Sequence, residues 1–503
     1  MPEHLRALVW ILLIATFFFY VAKGAFAELL SEKTFKRWRN LWFASTLVLF
    51  LSHSIWIAML VIGALLLAQR RKEAHVMGLY FALLFVSPPA PAMIPGLGII
   101  DHLWVIDHYR LLALTLLLPA ALVLVQRKTT APIGSSRVDF ALMGYFGLLC
   151  LLAFREGNVT SGMRSVLTLF VDILLPYYVA SRSIRDKEAF RHAASGFVMG
   201  AMLLSLVLMF EVLRHWKLYS GVLGALGLNP NMFGGYLLRS GLLRPNATVG
   251  NSIVAGYVVM VAFGLFLFLK DAVTNRRYRL MGGVLLVAGI VASLSRGPWV
   301  GAILLVLVFL MTGPQALKKL SLLGAGVLVG LLLLTLHPTG QVLVDLLPVI
   351  GEAEQGNVEY RADLLTAALP VIERHLLLGS DNFLDAPELQ VMRQGEGIID
   401  VVNSYIGVAL DSGLLGLFLF LSIFVGSILQ TKGGIRLVRR RDPEAAVLGR
   451  ALFATLIAIA FVIYTVSSII AVATVYWGII GMAVAFGIYA KGASASPSPV
   501  LKP

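Results

Sequence analysis

Arginine is the residue type whose placement says most about chemistry in this chain. Three short segments carry it to the junctions between apolar runs: Arg239-Ser-Gly-Leu-Leu-Arg244-Pro-Asn246, Ser293-Leu-Ser295-Arg296-Gly297-Pro-Trp299, and Arg361 with Leu365. A guanidinium is always charged and presents a planar fork of donors, which binds phosphate oxygens two at a time. Three such groups on one face of a membrane protein suit a lipid diphosphate. Arg296 is the most informative, since an arginine between two membrane helices costs about 2.5–3.5 kcal/mol at a helix centre and less near an interface. Gly297 and Pro298 help the chain turn there. The alternative role for Arg296 is a snorkelling side chain in a tight hairpin. For Arg244 and Arg361 it is salt bridging within the loops, with Glu359 and Asp363 beside Arg361. Arg239 is a weaker candidate, and Arg374 and Arg393 are weaker still.

Other chemistries find little support. No histidine pair has helical metal-ligand spacing, and neither an Asp-x-Asp pair in the loops nor a Gly-rich phosphate loop is found, so no metal and no cofactor is expected. The single cysteine, Cys150, lies in an apolar run and excludes an intramolecular disulfide. A net charge of +14 invites nucleic acid as a partner, but the basic residues sit in short clusters between apolar runs. Such clusters set membrane orientation, and nucleic acid is discounted.

The elements that must hold these arginines are set by composition. Hydrophobic residues make up 58% of 503 positions and charged ones 14%, against roughly 25% charged in a soluble domain. The apolar residues fall in runs of about 20, enough to span a hydrocarbon core. The expected fold is all-α, a polytopic transmembrane helix bundle of about 12–15 membrane segments. The stretch 41–69 has basic flanks on both sides, so it reads as a hairpin broken at Ser52-His53-Ser54. The basic clusters then share one face, which places the C-terminus in the cytoplasm and the N-terminus outward. The first apolar run is read as a retained helix, not a signal peptide.

The expected organisation is an N-terminal bundle over 1–336 that includes an outward loop at 212–250, a large outward loop over 337–403, C-terminal helices over 404–490, and a disordered cytoplasmic tail over 491–503. The large loop holds 11 acidic residues against three arginines, so arginine is its more selectively placed charge. From Val358 to Leu378 it reads as an amphipathic helix whose apolar face holds Leu364, Leu365, Ala368, Val371 and Ile372, with Pro370 kinking or dividing it. The chain has no internal repeat between its halves, which weakens an alternating-access transporter.

At these residues the chain resembles the O-antigen ligase/polymerase superfamily, over roughly His108 to Ile488. The resemblance is carried by Leu175-Pro-Tyr-Tyr-Val-Ala-Ser-Arg182, Arg239-Ser-Gly-Leu-Leu-Arg244, Gly250-Asn-Ser-Ile-Val-Ala-Gly256-Tyr257 and Ser293-Leu-Ser-Arg-Gly-Pro-Trp299. The late outward loop, followed by Asn403-Ser-Tyr405 and Asp411-Ser-Gly-Leu-Leu-Gly416, completes it. The resemblance implies a metal-independent glycosyltransferase of the C-type architecture in the bacterial inner membrane, with its active site facing the periplasm. Its donor would be an oligosaccharide on undecaprenyl diphosphate, with membrane lipid around it and polysaccharide chain-length or export proteins as partners. On this resemblance Arg239, Arg244, Arg296 and Arg361 bind the lipid diphosphate, while Asn403 and Tyr405 position glycan or loop. The ligases also carry a histidine separated by ten residues from a glycine. Gly413 matches that glycine, but the histidine position is Val402. The departure favours a polymerase over a ligase that transfers a finished glycan to a lipid or protein acceptor. Asp400 is the replacement candidate for the acceptor-activating base, beside the alternative of an ordinary surface acid. A transporter of lipid-linked sugars would need charges along its spans, whereas here they gather at one boundary.

Overall fold

Apolar runs of this length fold as helices because every backbone N–H and C=O in hydrocarbon needs a partner within the protein. The computed structural model describes residues 1–96, 98, 101–155, 157–233, 235–239, 241–335, 356–393 and 399–495, and these are nearly all helical. Among them, eight helices are long and apolar enough to cross a membrane: Glu3–Phe26, His108–Gln126, Val159–Ser183, Lys187–Arg214, Ser252–Ala272, Ser404–Val438, Pro443–Ile463 and Ala471–Ser494. Ile55–Arg70 and Arg296–Met311 are shorter apolar helices. The chain is a polytopic helical membrane protein. Residue 336, residues 337–355 and 394–398 of the expected large loop, and the tail from 496 onward lie outside the described residues. The last helix runs to Ala495, past the expected start of that tail.

The Ser252–Leu269 helix is apolar on all sides and almost wholly buried, as a helix at the centre of a bundle must be. The helices Lys187–Arg214, Arg276–Ala292, Arg296–Met311 and Pro443–Ile463 pack around it. The stretch 41–69 does break where expected, between helices Glu32–Leu51 and Ile55–Arg70, with His53 at φ 53°. By composition 77–90 also reads as an apolar span, but it is not among the helices long enough to cross a membrane. It forms only the eight-residue helix Val76–Leu83, buried on every side from Met77 to Leu83. Its continuation carries Pro88, Pro89 and Pro91, which lack the N–H a helix needs.

Ion pairs fix the end of the bundle where Lys187–Arg214 and Pro443–Ile463 both begin. Arg191 is paired with Glu444, and Lys187 lies 3.2 Å from Asp442. Arg182 donates to Asp139 at 2.6 Å, and Tyr177 donates to the other oxygen of that carboxylate at 2.5 Å. Both partners of the Arg182–Asp139 pair are buried. This gives the Leu175–Arg182 motif a structural role, since removing one partner would strand a buried charge.

The large loop is anchored by a fault in the helix that follows it. Within Ser404–Val438, Gly413 has φ 67° and ψ −172°, a region open essentially to glycine alone. The break orphans N–H groups of the second half and carbonyls of the first. The chain just after helix Gly356–Arg374 satisfies them: Leu414 N–H donates to Leu376 O at 2.8 Å, Leu415 N–H to Leu377 O at 3.3 Å, and Ser380 N–H to Leu410 O at 2.8 Å. A Cβ at Gly413 would collide with the Leu377 backbone. Gly413→Ala should therefore lower the thermal unfolding midpoint of the detergent-solubilised protein by an amount matching about 1–3 kcal/mol. Gly147→Ala, where a Cβ meets nothing within 4 Å, should leave the midpoint unchanged or raise it.

Candidate functional site

The site is built around the turn at 293–296, which joins helices Arg276–Ala292 and Arg296–Met311. The turn is sharp, with Leu294 at φ 49°. Ser293 Oγ donates to Ile290 O at 2.6 Å, Ser295 Oγ to Ser293 O at 3.0 Å, and Trp299 Nε1 to Ile290 O at 2.7 Å. Gly256 allows the central helix to approach closely, since a Cβ there would meet Ser293 Oγ at 2.5 Å and Pro298 at 2.9 Å. Arg296 opens its helix at this turn, half-buried.

Two of the predicted arginines are tied to the same turn. Leu238–Arg239 and Leu242–Leu243 form a small antiparallel hairpin, with Gly241 at φ 76° between them. From it the buried Arg239 donates through Nη1 to Leu294 O at 2.6 Å. Arg244 donates through Nε to Ser252 Oγ at 3.1 Å, and Ser252 Oγ lies 3.5 Å from Ser295 Oγ. The loop that delivers Arg244 hangs on Glu211, a buried carboxylate that accepts from the N–H groups of Leu218, Asn246 and Ala247 at 2.9, 3.0 and 2.9 Å.

Arg361 arrives from the large loop. Its helix, Gly356–Arg374, runs unbroken through Pro370. Leu364, Ala368 and Val371 are buried at the i, i+4, i+7 spacing of one helical face. They pack with Leu389, Met392, Ile406 and Leu410 into a small core that also takes Ile372 and Val402. Leu365, expected on the apolar face, is 44% exposed, because it lies about 100° round the helix from Leu364.

Arg361 pairs with neither Glu359 nor Asp363, and among the described residues it has no acidic partner. Its Nη2 donates to Thr465 O at 3.3 Å. Burial pulls the pKa of its guanidinium down, the nearby Tyr464 opposes this, and the like charge of Arg239 adds to it. An arginine nonetheless stays charged at neutral pH. Arg361 and Arg239 thus feel each other's charge, although the sequence separates them widely.

The segment 464–468 is the part that inspection of the sequence missed. By composition 448–468 reads as one apolar span, but helix Pro443–Ile463 ends earlier and leaves Thr465, Ser467 and Ser468 in a connecting turn. The signal available was the polar run Thr465-Val-Ser467-Ser468 between two spans. This turn touches each part of the site. A Cβ on Gly297 would meet Thr465 Oγ1 at 2.5 Å. Ser467 donates to Asp400 Oδ1 at 2.7 Å, Ser404 Oγ donates to Val466 O at 2.7 Å, and Ser468 donates to Ser404 Oγ at 2.8 Å.

Asp400 is exposed, and its backbone carbonyl accepts from Tyr360 OH at 3.0 Å. Asn403 caps the following helix, its Oδ1 accepting from Tyr405 N–H and Ile406 N–H at 2.9 and 3.3 Å. Tyr405 OH donates to Ala460 O at 2.8 Å. Their polar atoms are thus engaged in positioning the re-entry to the membrane.

Residues 281–421 match the family model described as O-antigen ligase. Over this stretch the chain is similar to the O-antigen ligase/polymerase superfamily. The matched stretch takes in Arg296, Arg361, Asp400 and Asn403 to Tyr405, while Arg239, Arg244 and the 464–468 turn lie outside it. Among curated proteins, none matches the sequence. The match supports ligase- or polymerase-type glycan transfer in general.

Because Gly297 lets the 464–468 turn close on the 293–296 turn, a β-branched residue there would push Thr465 away from Arg361. Gly297→Val should lower glycan transfer on the order of 10²-fold, the cost of misplacing a site group by about 1 Å. Membrane insertion and expression, read by fluorescence-detected gel filtration of a tagged protein, should persist.

Proposed function

We propose that this protein polymerises oligosaccharide repeat units carried on undecaprenyl diphosphate, at the periplasmic face of the bacterial inner membrane. The observation that carries the proposal is Arg361, half-buried without an acidic partner among the described residues, held to Thr465 O and within electrostatic reach of Arg239. Two guanidinium groups brought together against their mutual repulsion suit an anion. Arg244 and Arg296, tied to the same turn, extend the basic wall. A diphosphate leaving group gains negative charge as its bond to sugar breaks, and donors preorganised for that charge stabilise the transition state more than the ground state.

In the proposed reaction a hydroxyl of the acceptor glycan attacks the anomeric carbon of the donor. The new C–O bond forms as the bond from that carbon to the lipid diphosphate breaks, and the diphosphate leaves with the electron pair. The hydroxyl proton passes to a base, for which Asp400 is the proposed residue. It is solvent-accessible and is oriented by Ser467. The leaving-group charge is assigned to arginine, without a metal.

Polymerase is favoured over ligase by Val402. The residue at the ligases' histidine position packs on the loop core beside Leu364 and Ile406, and an apolar side chain takes no proton. Single transfer of a finished glycan to a lipid or protein acceptor is the alternative.

Purified protein supplied with lipid-linked repeat units should yield a ladder of products rising by whole repeats, together with free lipid diphosphate. One transfer onto a separate acceptor would indicate the ligase instead, and passage of donor across the bilayer with no new bond would exclude both. Arg361→Ala should reduce turnover on the order of 10²–10³-fold. Arg361→Lys should not restore it, since a point charge lacks the bidentate fork. Asp400→Asn should reduce the rate by about 10²-fold or more if Asp400 is the base, whereas an unchanged rate and pH profile would remove it from that role.

A further inference from the structure

We propose that His75, Glu188 and His192 form a zinc-binding site at the end of the bundle away from Arg239, Arg244, Arg296 and Arg361. One donor atom of each lies within 4.8 Å of the others. Glu188 and His192 stand one turn apart on helix Lys187–Arg214, so they share a face. His75 precedes helix Val76–Leu83 and comes from a distant part of the sequence.

The fold supplies the reason these three meet. Gly78 and Gly196 lie at a close backbone crossing of the two helices: a Cβ on Gly196 would overlap the Gly78 carbonyl, and one on Gly78 would meet His192 O at 3.0 Å. His75 and His192 each lie about one turn before these glycines. The crossing therefore brings the two imidazoles together, with ring centroids 4.3 Å apart and the planes tilted by 35°. His75 Nε2 lies 3.5 Å from Glu188 Oε1.

Three features suit a metal beyond proximity. His192 Nδ1 lies 2.9 Å from Glu188 O, and a carbonyl only accepts, so that nitrogen carries the proton and the ring keeps a lone pair on the other. Ligating histidines are commonly oriented by such a bond. His192 is also packed edge-on against Trp38, 6.3 Å between centroids, which restrains the ring. Finally, neighbouring basic groups already have carboxylate partners: Arg37 with Glu73 at 2.7 Å, Lys187 with Asp442 at 3.2 Å, and Arg191 with Glu444.

Two neutral imidazoles and one carboxylate are a common donor set for zinc, with a fourth position left to water. Metal–ligand bonds of about 2.0–2.2 Å put tetrahedral donors roughly 3.3–3.5 Å apart, so modest contraction is required. Glu188 is 73% exposed and can swing inward. Zinc there would tie the chain entering the buried Val76–Leu83 helix to the start of helix Lys187–Arg214.

The test uses the full-length protein in nanodiscs, stripped with chelator, exposed to Zn²⁺ alone and freed of excess metal. The wild type should retain about one zinc ion per chain, and Co²⁺ in its place should give the visible absorption of a tetrahedral nitrogen/oxygen site. Glu188→Gln, a surface change that keeps side-chain shape, should weaken affinity about 10-fold or more, and His75→Ala should abolish retention. A variant lacking the exposed His53 and His215 should bind as the wild type does. Failure of the wild type to retain zinc, or retention undiminished in both Glu188→Gln and His75→Ala, would overturn the site.

Discussion

A break in a membrane helix exposes backbone groups that lipid cannot satisfy, and the architecture of the candidate site follows from how one such break is closed. At Gly413 the chain reaches a conformation that side chains forbid, and the helix Ser404–Val438 stops and restarts. The exposed N–H and carbonyl groups are taken up by residues 376–380. Each such bond is worth only about 0.5–1.5 kcal/mol net, but leaving the groups unpaired would cost more. The loop is consequently fixed by backbone geometry, and its helix Gly356–Arg374 lies where Arg361 reaches Thr465. The second contact to that helix is apolar, through Leu364 and Ala368 against Ile406 and Leu410.

The arginines are held by a common device. Arg239 donates to the Leu294 carbonyl, Arg244 to the Ser252 hydroxyl, and Arg361 to the Thr465 carbonyl. For Arg361 the neutral acceptor orients the guanidinium without cancelling its charge, whereas a carboxylate would do both. The contrast with Arg182 is instructive, since that arginine is matched to Asp139 in full burial and serves the fold. The carbonyl partner of Arg361 and the carboxylate partner of Arg182 thus mark two different uses of arginine.

The two ends of the bundle illustrate different uses of close packing. At the site end, glycines at 256 and 297 let the central helix and the 464–468 turn close around the 293–296 turn. At the other end the Gly78–Gly196 crossing aligns two histidines and brings a carboxylate beside them. Without a hydrophobic driving force between helices in lipid, small residues at such crossings govern how helices approach. Side chains one turn away inherit their positions from that approach.

Much of this was legible in the residues alone. Apolar runs of span length required a polytopic helical bundle, because hydrocarbon leaves the backbone no other way to bond. The Ser52-His53-Ser54 break, the Arg296 turn and the amphipathic face holding Leu364, Ala368 and Val371 follow from local pattern. Val402 and Gly413 were visible as positions, though only the backbone angles show why glycine is needed at 413. What tertiary structure decided was longer in range. It made 77–90 a short buried helix, turned Leu365 outward, gave Asn403 a capping role, and ended a span at Ile463 so that Thr465, Ser467 and Ser468 knit the site together. It also set Arg361 within electrostatic reach of Arg239, and His75 beside His192. Periodicity records which face of a helix is apolar, because that depends on residues a turn apart. It cannot record which distant turn that face will meet, because that depends on how helices cross.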